Sequence, residues 1–318
     1  MDASTMLSQN LLYSLFKNSM TQIKRSISAD FALFSIAFVW ALNFTVIKAS
    51  LDEIDPYSFN AIRFILATAF IWVVIAKKKA WFRIKGSDWK ILIPLGLTGN
   101  LIYQWLFIIG IDLTLAANAA VMLGTIPIWV ALFSHVFSME ALNRMKVFGV
   151  VLAFAGLFLI VFFGKDPISF GSQTFLGDLS ILAAALVWGL FTIFSKQFLT
   201  RYTPLQFSAF MTSTGAVSLV LIAIPFASPT DWANVSFMAW GGVLYSGLLA
   251  IGLAYIIWNK GIMEVGAVRT ATYQNLVPVL GLAFGVILLG ESLEWLQYLG
   301  SAIVIGGILI TRYGKIKH

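Results

Sequence analysis

The segment AANAAVMLGTIPIWVALFSHVFSME, from Ala116 to Glu140, returns as AVRTATYQNLVPVLGLAFGVILLGE from Ala267 to Glu291, with Pro127 on Pro278 and Glu140 on Glu291 at a shift of 151 residues. Each copy is mostly apolar and long enough for a helix to cross a hydrocarbon core of about 30 Å at about 1.5 Å per residue. A proline inside such a helix has no N–H for the carbonyl four residues earlier, so the oxygens of Leu123 and Gln274 lose their usual partner. Lipid cannot replace it; a neighbouring helix, water or a ligand must. Interrupted helices at matching places in a duplicated membrane protein point to a central solute site, with Pro127 and Pro278 as helix breaks or gating points. The plainer reading is a pair of packing kinks.

With 59% hydrophobic and 11% charged residues and a mean hydropathy of +0.89, a chain of 318 residues cannot hide its apolar side chains inside a water-soluble globule. It is an all-α integral membrane protein. No cysteine is present, which removes disulfides, thiolate metal sites and thiol catalysis together. Apolar runs predict ten spans, at about 30–49, 57–76, 91–110, 115–138, 145–163, 178–198, 204–226, 237–258, 266–289 and 295–313. Residues 1–28 precede them, with apolar side chains at spacings of mostly three or four, and are expected to form an amphipathic helix on the cytoplasmic membrane surface. The connections are short, so whatever the protein does, it does within the bilayer.

Eighteen of the twenty-one Lys and Arg residues fall on one side, all except Lys48, Lys165 and Arg63. The positive-inside rule then puts both termini in the cytoplasm of a multi-pass protein of the cell (inner) membrane. The net charge of +7 is therefore topology, and no nucleic-acid partner is expected.

The repeat extends beyond its core. WALNFTVIK from Trp40 aligns with WGLFTIFSK from Trp188, and Pro56-Tyr-Ser-Phe with Pro204-Leu-Gln-Phe, at a shift of 148; Gly110, Gly149 and Gly156 match Gly261, Gly300 and Gly307 at 151. The expected units are 29–164 and 165–318, five spans each. Five is odd, so the second unit enters the membrane from the opposite side, an inverted repeat suited to alternating access.

Polar and aromatic groups deep in a span face a bundle interior or a wet cavity. Tyr273, Gln274 and Asn275 sit just before Pro278, where the first copy has Met122, giving one polar and one greasier wall for a polar or zwitterionic solute. Trp40 and Asn43 share a face of the first span, answered by Trp188 in the sixth. A stripe of Tyr103 and Gln104 in the third span is matched by Tyr255, Trp258 and Asn259 in the eighth. Helix-to-helix hydrogen bonding is the alternative for the amides, and packing for the rings. Arg63 lies about 10 Å into the second span and keeps its charge. It is expected to tie to the loop of Asp52 and Asp55 or to snorkel, with a contact to a solute's anionic group as the other reading. Glu140 and Glu291 are expected to cap the helix that follows each. No Asp or Glu sits plainly at mid-span. No metal site and no cofactor are expected.

Two five-span units, each with a Trp-containing first helix, a Pro-x-x-Phe start to the second, an Ala-rich helix with a central Pro, a Glu and a Gly-rich last helix, resemble the drug/metabolite transporter superfamily, specifically its EamA-type members. The resemblance covers residues 30–313. It implies a ten-helix carrier that moves small metabolites such as amino acids, often outward, through a central cavity. The chain departs from internal symmetry where Arg63 becomes Met211.

The expected function is therefore a secondary transporter of a small metabolite, with the solute and the lipid bilayer as partners and a monomer or homodimer as the working unit. The alternatives are an exporter of hydrophobic or cationic drugs, and a non-transporting sensor or assembly protein. An intramembrane enzyme would need a nucleophile and base, a metal cluster or paired carboxylates. With two histidines, His135 and His318, and no cysteine, none is in view.

Overall fold

The structure is a computed structural model that describes residues 3–114, 116–163, 175–289 and 293–313. Lys165, Glu291 and His318 lie outside those residues, as do the side chains before Ile27. The helices are α1 (Ala3–Leu51), α2 (Pro56–Lys78), α3 (Trp89–Leu113), α4 (Ala116–Gly124 and Ile126–Val136), α5 (Arg144–Phe162), α6 (Phe175–Phe198), α7 (Pro204–Phe226), α8 (Phe237–Val265), α9 (Ala267–Thr272, Tyr273–Asn275 and Leu276–Leu289) and α10 (Trp295–Tyr313). Among the described residues, nine helices are long and apolar enough to cross a membrane. The tenth predicted span, 266–289, corresponds to the three pieces of α9.

The fold is all helical among the described residues, as predicted, with one difference at its start. The segment expected to lie on the membrane surface runs without interruption into the first span as one helix of 49 residues. No glycine or proline occurs between Ala3 and Leu51, so nothing in the backbone breaks the helix between the two parts.

The Pro-x-x-Phe motifs are helix starts. Asp55 accepts from the Ser58 N–H at 2.8 Å, Thr203 and Gln206 close a reciprocal capping box, and Pro56 and Pro204 occupy the first turn, where a missing N–H costs nothing. Phe59 and Phe207 then point inward and are buried. On α7 the exposed stripe is Val217, Leu221 and Ile224, while Ser208, Thr212 and Gly215 face inward. That is the reverse of a helix in water, and it suits a lipid surround.

Helix contacts pair the halves. α2 packs on α7 and α5 on α10; α1 lies against α8 and α9, as α6 lies against α3 and α4. In the α5–α10 contact a side chain on Gly149 would meet the Gly307 carbonyl at 2.7 Å, and one on Gly156 would meet the Gly300 carbonyl at 2.6 Å. Rising numbers on one helix thus meet falling numbers on the other, so the two run antiparallel with backbone against backbone.

Both prolines stand one step away from the predicted kinks. α4 stops at Gly124 and restarts at Ile126, with the Thr125 hydroxyl donating to the Met122 carbonyl at 2.6 Å. α9 tightens into a 3₁₀ turn at Tyr273–Asn275 before restarting at Leu276. Pro127 and Pro278 therefore fall in the first turn of a new helix rather than in the middle of an old one. A second pair of irregularities is invisible in the sequence: Leu97–Ile102 in α3 and Tyr245–Leu253 in α8 are wound as π-helix. Such stretches shift the faces of the helix that follows and recur at functional sites.

Candidate functional site

The end of the bundle where the first span begins, near Ile27, is tied by ion pairs. Asp30 binds Arg269 through both carboxylate oxygens, forms an ion pair with Arg312 at 3.1 Å and takes a hydrogen bond from the Tyr273 hydroxyl at 2.8 Å, which joins α1, α9 and α10. At the same end Glu140 binds Lys146 at 2.8 Å and Lys196 at 3.2 Å, and accepts from the Ala267 N–H at 2.8 Å. Burial pushes the Glu140 carboxyl up, but the two ammonium groups outweigh it and hold it below the usual carboxylate range. Glu140 was expected to cap the helix after it. Instead Asn143 caps α5, accepting from the Lys146 N–H at 2.8 Å, and Glu140 caps α9, the broken helix of the other half. At the opposite end Asp178 accepts from Thr114 at 2.5 Å and from Asn118 at 2.8 Å.

Between the two ends lies a cavity of about 280 Å³. Its wall takes Trp40, Asn43, Phe44 and Thr45 from α1, Arg63 from α2, Tyr103, Gln104 and Phe107 from α3, Leu123 and Gly124 from α4, Trp188 from α6, Tyr255 from α8, and Gln274, Val277 and Pro278 from α9. From α9 it uses Gln274 in the 3₁₀ turn and Val277, Pro278 and Gly281 beyond it, and no residue of 267–273, so it occupies the Asp178 side of the bundle's middle.

The rings form a connected floor. Trp188 stands 4.6 Å from Tyr103, 5.6 Å from Tyr255 and 5.9 Å from Trp258 between centroids, and Trp258 is 5.3 Å from Trp40. The Trp40 indole N–H donates to the Ala250 carbonyl at 2.9 Å. That of Trp188 has no acceptor among the described residues, although the side chain is 2% exposed. Asn43 and Gln274 on the wall likewise carry an unpaired amide oxygen.

Arg63 is the charged member of the wall. The expected tie to Asp52 and Asp55 is absent: Asp55 caps α2 and accepts from the Ser228 N–H, whereas Arg63 is 2% exposed and points into the bundle. Its Nε donates to Asn60 at 2.7 Å, one terminal nitrogen to Ser246 at 3.1 Å and the other to Gln104 at 2.5 Å. The side chain is seven residues from the helix start, too deep for its head group to reach the end of the bundle, so it collects neutral acceptors from three helices. Gly247 makes the third possible, since any side chain there would meet the Arg63 carbonyl at 2.9 Å; its absence lets α8 bring Ser246 close. Gln104 completes the set by donating to the Tyr255 hydroxyl at 3.3 Å.

Of the residues predicted to bind a solute, Trp40, Asn43, Tyr103, Gln104, Trp188, Tyr255, Gln274 and Arg63 meet on this wall, together with Pro278. Five lie off it. Met122 stands behind Leu123 and Gly124; Trp258 backs the indoles; Asn259 donates to Ser208 at 2.8 Å and joins α8 to α7; Tyr273 binds Asp30; Asn275 is fully buried beside Gly124. Pro127 also lies off the wall. On α9 the physical reason is that consecutive residues of a helix point about 100–120° apart, so Tyr273 and Asn275 flank Gln274 and do not share its face. Phe44 and Phe107 were legible as the residues one turn beyond Trp40 and Tyr103.

The sequence pattern of the EamA-like transporter family matches residues 27–162 and 175–313. An uncharacterized transporter of Archaeoglobus fulgidus is 31% identical over 277 residues, 86% of this chain and 93% of the relative. The probable amino-acid metabolite efflux pump of Escherichia coli is 25% identical over 292 residues, 88% of this chain and 93% of that protein. A solved crystal structure shares the fold at a TM-score of 0.74 and 20% identity, covering 89% of this chain and 95% of its own. The chain belongs to the EamA-like transporter family, and with its relatives it is a multi-pass membrane transporter rather than an enzyme.

Proposed function

We propose that the protein is a secondary transporter that carries a small metabolite through this cavity by alternating access, with 29–164 and 165–318 as inverted repeats. The observation that carries the reading is that equivalent residues of the two halves meet at the cavity: Trp40 and Trp188, 148 apart, both line it, and Gln104 hydrogen-bonds Tyr255, 151 apart. The antiparallel contact of α5 with α10 supports the inversion. With the basic end in the cytoplasm, the Asp30 cluster lies on the cytoplasmic side and the cavity lies deeper in the bundle. The name of the Escherichia coli relative favours outward movement of an amino-acid-related solute.

The test is counterflow in proteoliposomes with radiolabelled metabolites, comparing the parent protein with Gln274→Ala. Gln274 lines the cavity and its amide oxygen has no partner to lose, so the variant is expected to fold normally and to transport several-fold more slowly. Counterflow absent for every solute, or currents of single-channel size, would remove the carrier reading.

A further inference from the structure

Resting on that transporter reading and narrowing it, we infer that the cavity is built for a small organic carboxylate of net negative charge with an apolar, ring-sized body, gripped by Arg63. Burying a full charge is tolerated when an opposite charge or a complete set of hydrogen bonds meets it. Arg63 has neither. The ion pairs of the described residues gather around Asp30, Asp88, Glu140 and Glu264, and none includes Arg63. A guanidinium carries five N–H donors. Three are taken by Asn60, Ser246 and Gln104, which leaves two, one on each terminal nitrogen. That is the number and distribution a carboxylate accepts in a two-pronged pair.

Two further observations point the same way. Trp188 lines the cavity, and its buried indole N–H has no acceptor among the described residues, which leaves a further donor in the wall. The wall holds no Asp or Glu, so a solute ammonium would find neutral oxygens and ring faces while sharing the space with a fixed cation. The amides of Asn43 and Gln274 do not weigh on either side, because each can present a donor or an acceptor by turning over. The body of the solute has Trp40, Phe44 and Phe107 to lie against.

The experiment uses the purified full chain in detergent and four probes of one shape: 3-phenylpropanoate, phenylalanine, 3-phenylpropanamide and 2-phenylethylamine. Affinity is read by titration calorimetry and thermal shift. The carboxylate is expected to bind at least tenfold more tightly than the zwitterion and the amide, and the amine is expected not to bind. Arg63→Gln should erase the preference, and Arg63→Lys, which keeps the charge and loses the fork, should retain it in weakened form. The parent protein alone decides the point if the variants do not fold. Tightest binding by phenylalanine, the amide or the amine, or no binding by any of the four, overturns the assignment. Failure of the wider reading looks different: the carboxylate binds with the predicted preference but shows no counterflow in proteoliposomes.

Discussion

Gln104 donates to the Tyr255 hydroxyl at 3.3 Å, and the two residues are 151 apart, the interval that separates Pro127 from Pro278. On the proposed inverted-repeat reading, a residue that touches its own counterpart would stand on the axis relating the halves. Each half thus delivers one polar group to the same point, and the first half adds Arg63, bound to Gln104 at 2.5 Å.

Tyr255→Phe removes the acceptor and leaves the Gln104 amide N–H unpaired in a buried place, a loss of about 1–3 kcal/mol. The expected result is a melting temperature lower by a few degrees together with slower counterflow. A variant equal to the parent in both would show that this bond neither supports the fold nor shapes the site.

Asn275→Leu is expected to stabilise the protein. Neither amide atom of Asn275 has a partner among the described residues, and the side chain is fully buried, so an apolar replacement of similar size removes an uncompensated cost. A rise in melting temperature with reduced transport would show that the amide finds its partner in another conformation of the cycle. A fall in melting temperature would mean that the amide is satisfied in this one.

Asp30→Asn takes the carboxylate from between Arg269 and Arg312. Removing one member of a buried ion pair costs about 3–5 kcal/mol because the remaining charge is left uncompensated. The end of the bundle near Asp30 should loosen. Because the chain has no cysteine, a single Cys introduced at Ala267 reports this directly: maleimide labelling of the double variant should be several-fold faster than of Ala267→Cys alone. Equal rates would exclude a latch at this place.

Glu140→Gln tests the carboxylate that Lys146 and Lys196 hold below its usual range. A carboxyl with a lowered value in the folded state contributes stability above about pH 4.3, its unfolded value, and loses that contribution as pH falls through the folded one. The parent should therefore melt above the variant at pH 7, and the two curves should converge below pH 4. A constant gap between pH 7 and pH 4 would mean that shape rather than charge matters at this position.

The all-helical membrane fold was legible because it rests on local pattern, the lengths of the apolar runs, and the placing of Trp40 and Asn43 along one cavity because they share one helical face. What escaped depends on where distant segments meet. Arg269 and Arg312 counted in the sequence only as charges on one side of the membrane, yet both close on Asp30, Arg269 from 239 residues away. The partners of Arg63 come from α2, α3 and α8, and only Asn60, one turn away, could be paired with it in advance. Tyr273 and Asn275 flank Gln274 and leave the cavity wall to it, and nothing in the composition of Leu97–Ile102 or Tyr245–Leu253 announces a π-helix.

Glu140 belongs to the end of one broken helix and holds the first N–H of the other. The start of α9 is pinned to the finish of α4, so neither can swing without dragging its opposite number. On the proposed alternating-access reading, such a coupling would act as an interlock: one door is bolted by the movement that frees the next, and the gradient across the membrane does not drain through a moment when both stand ajar. Cutting this tether, rather than the grip on the solute, is the change that should turn the protein from tight to leaky.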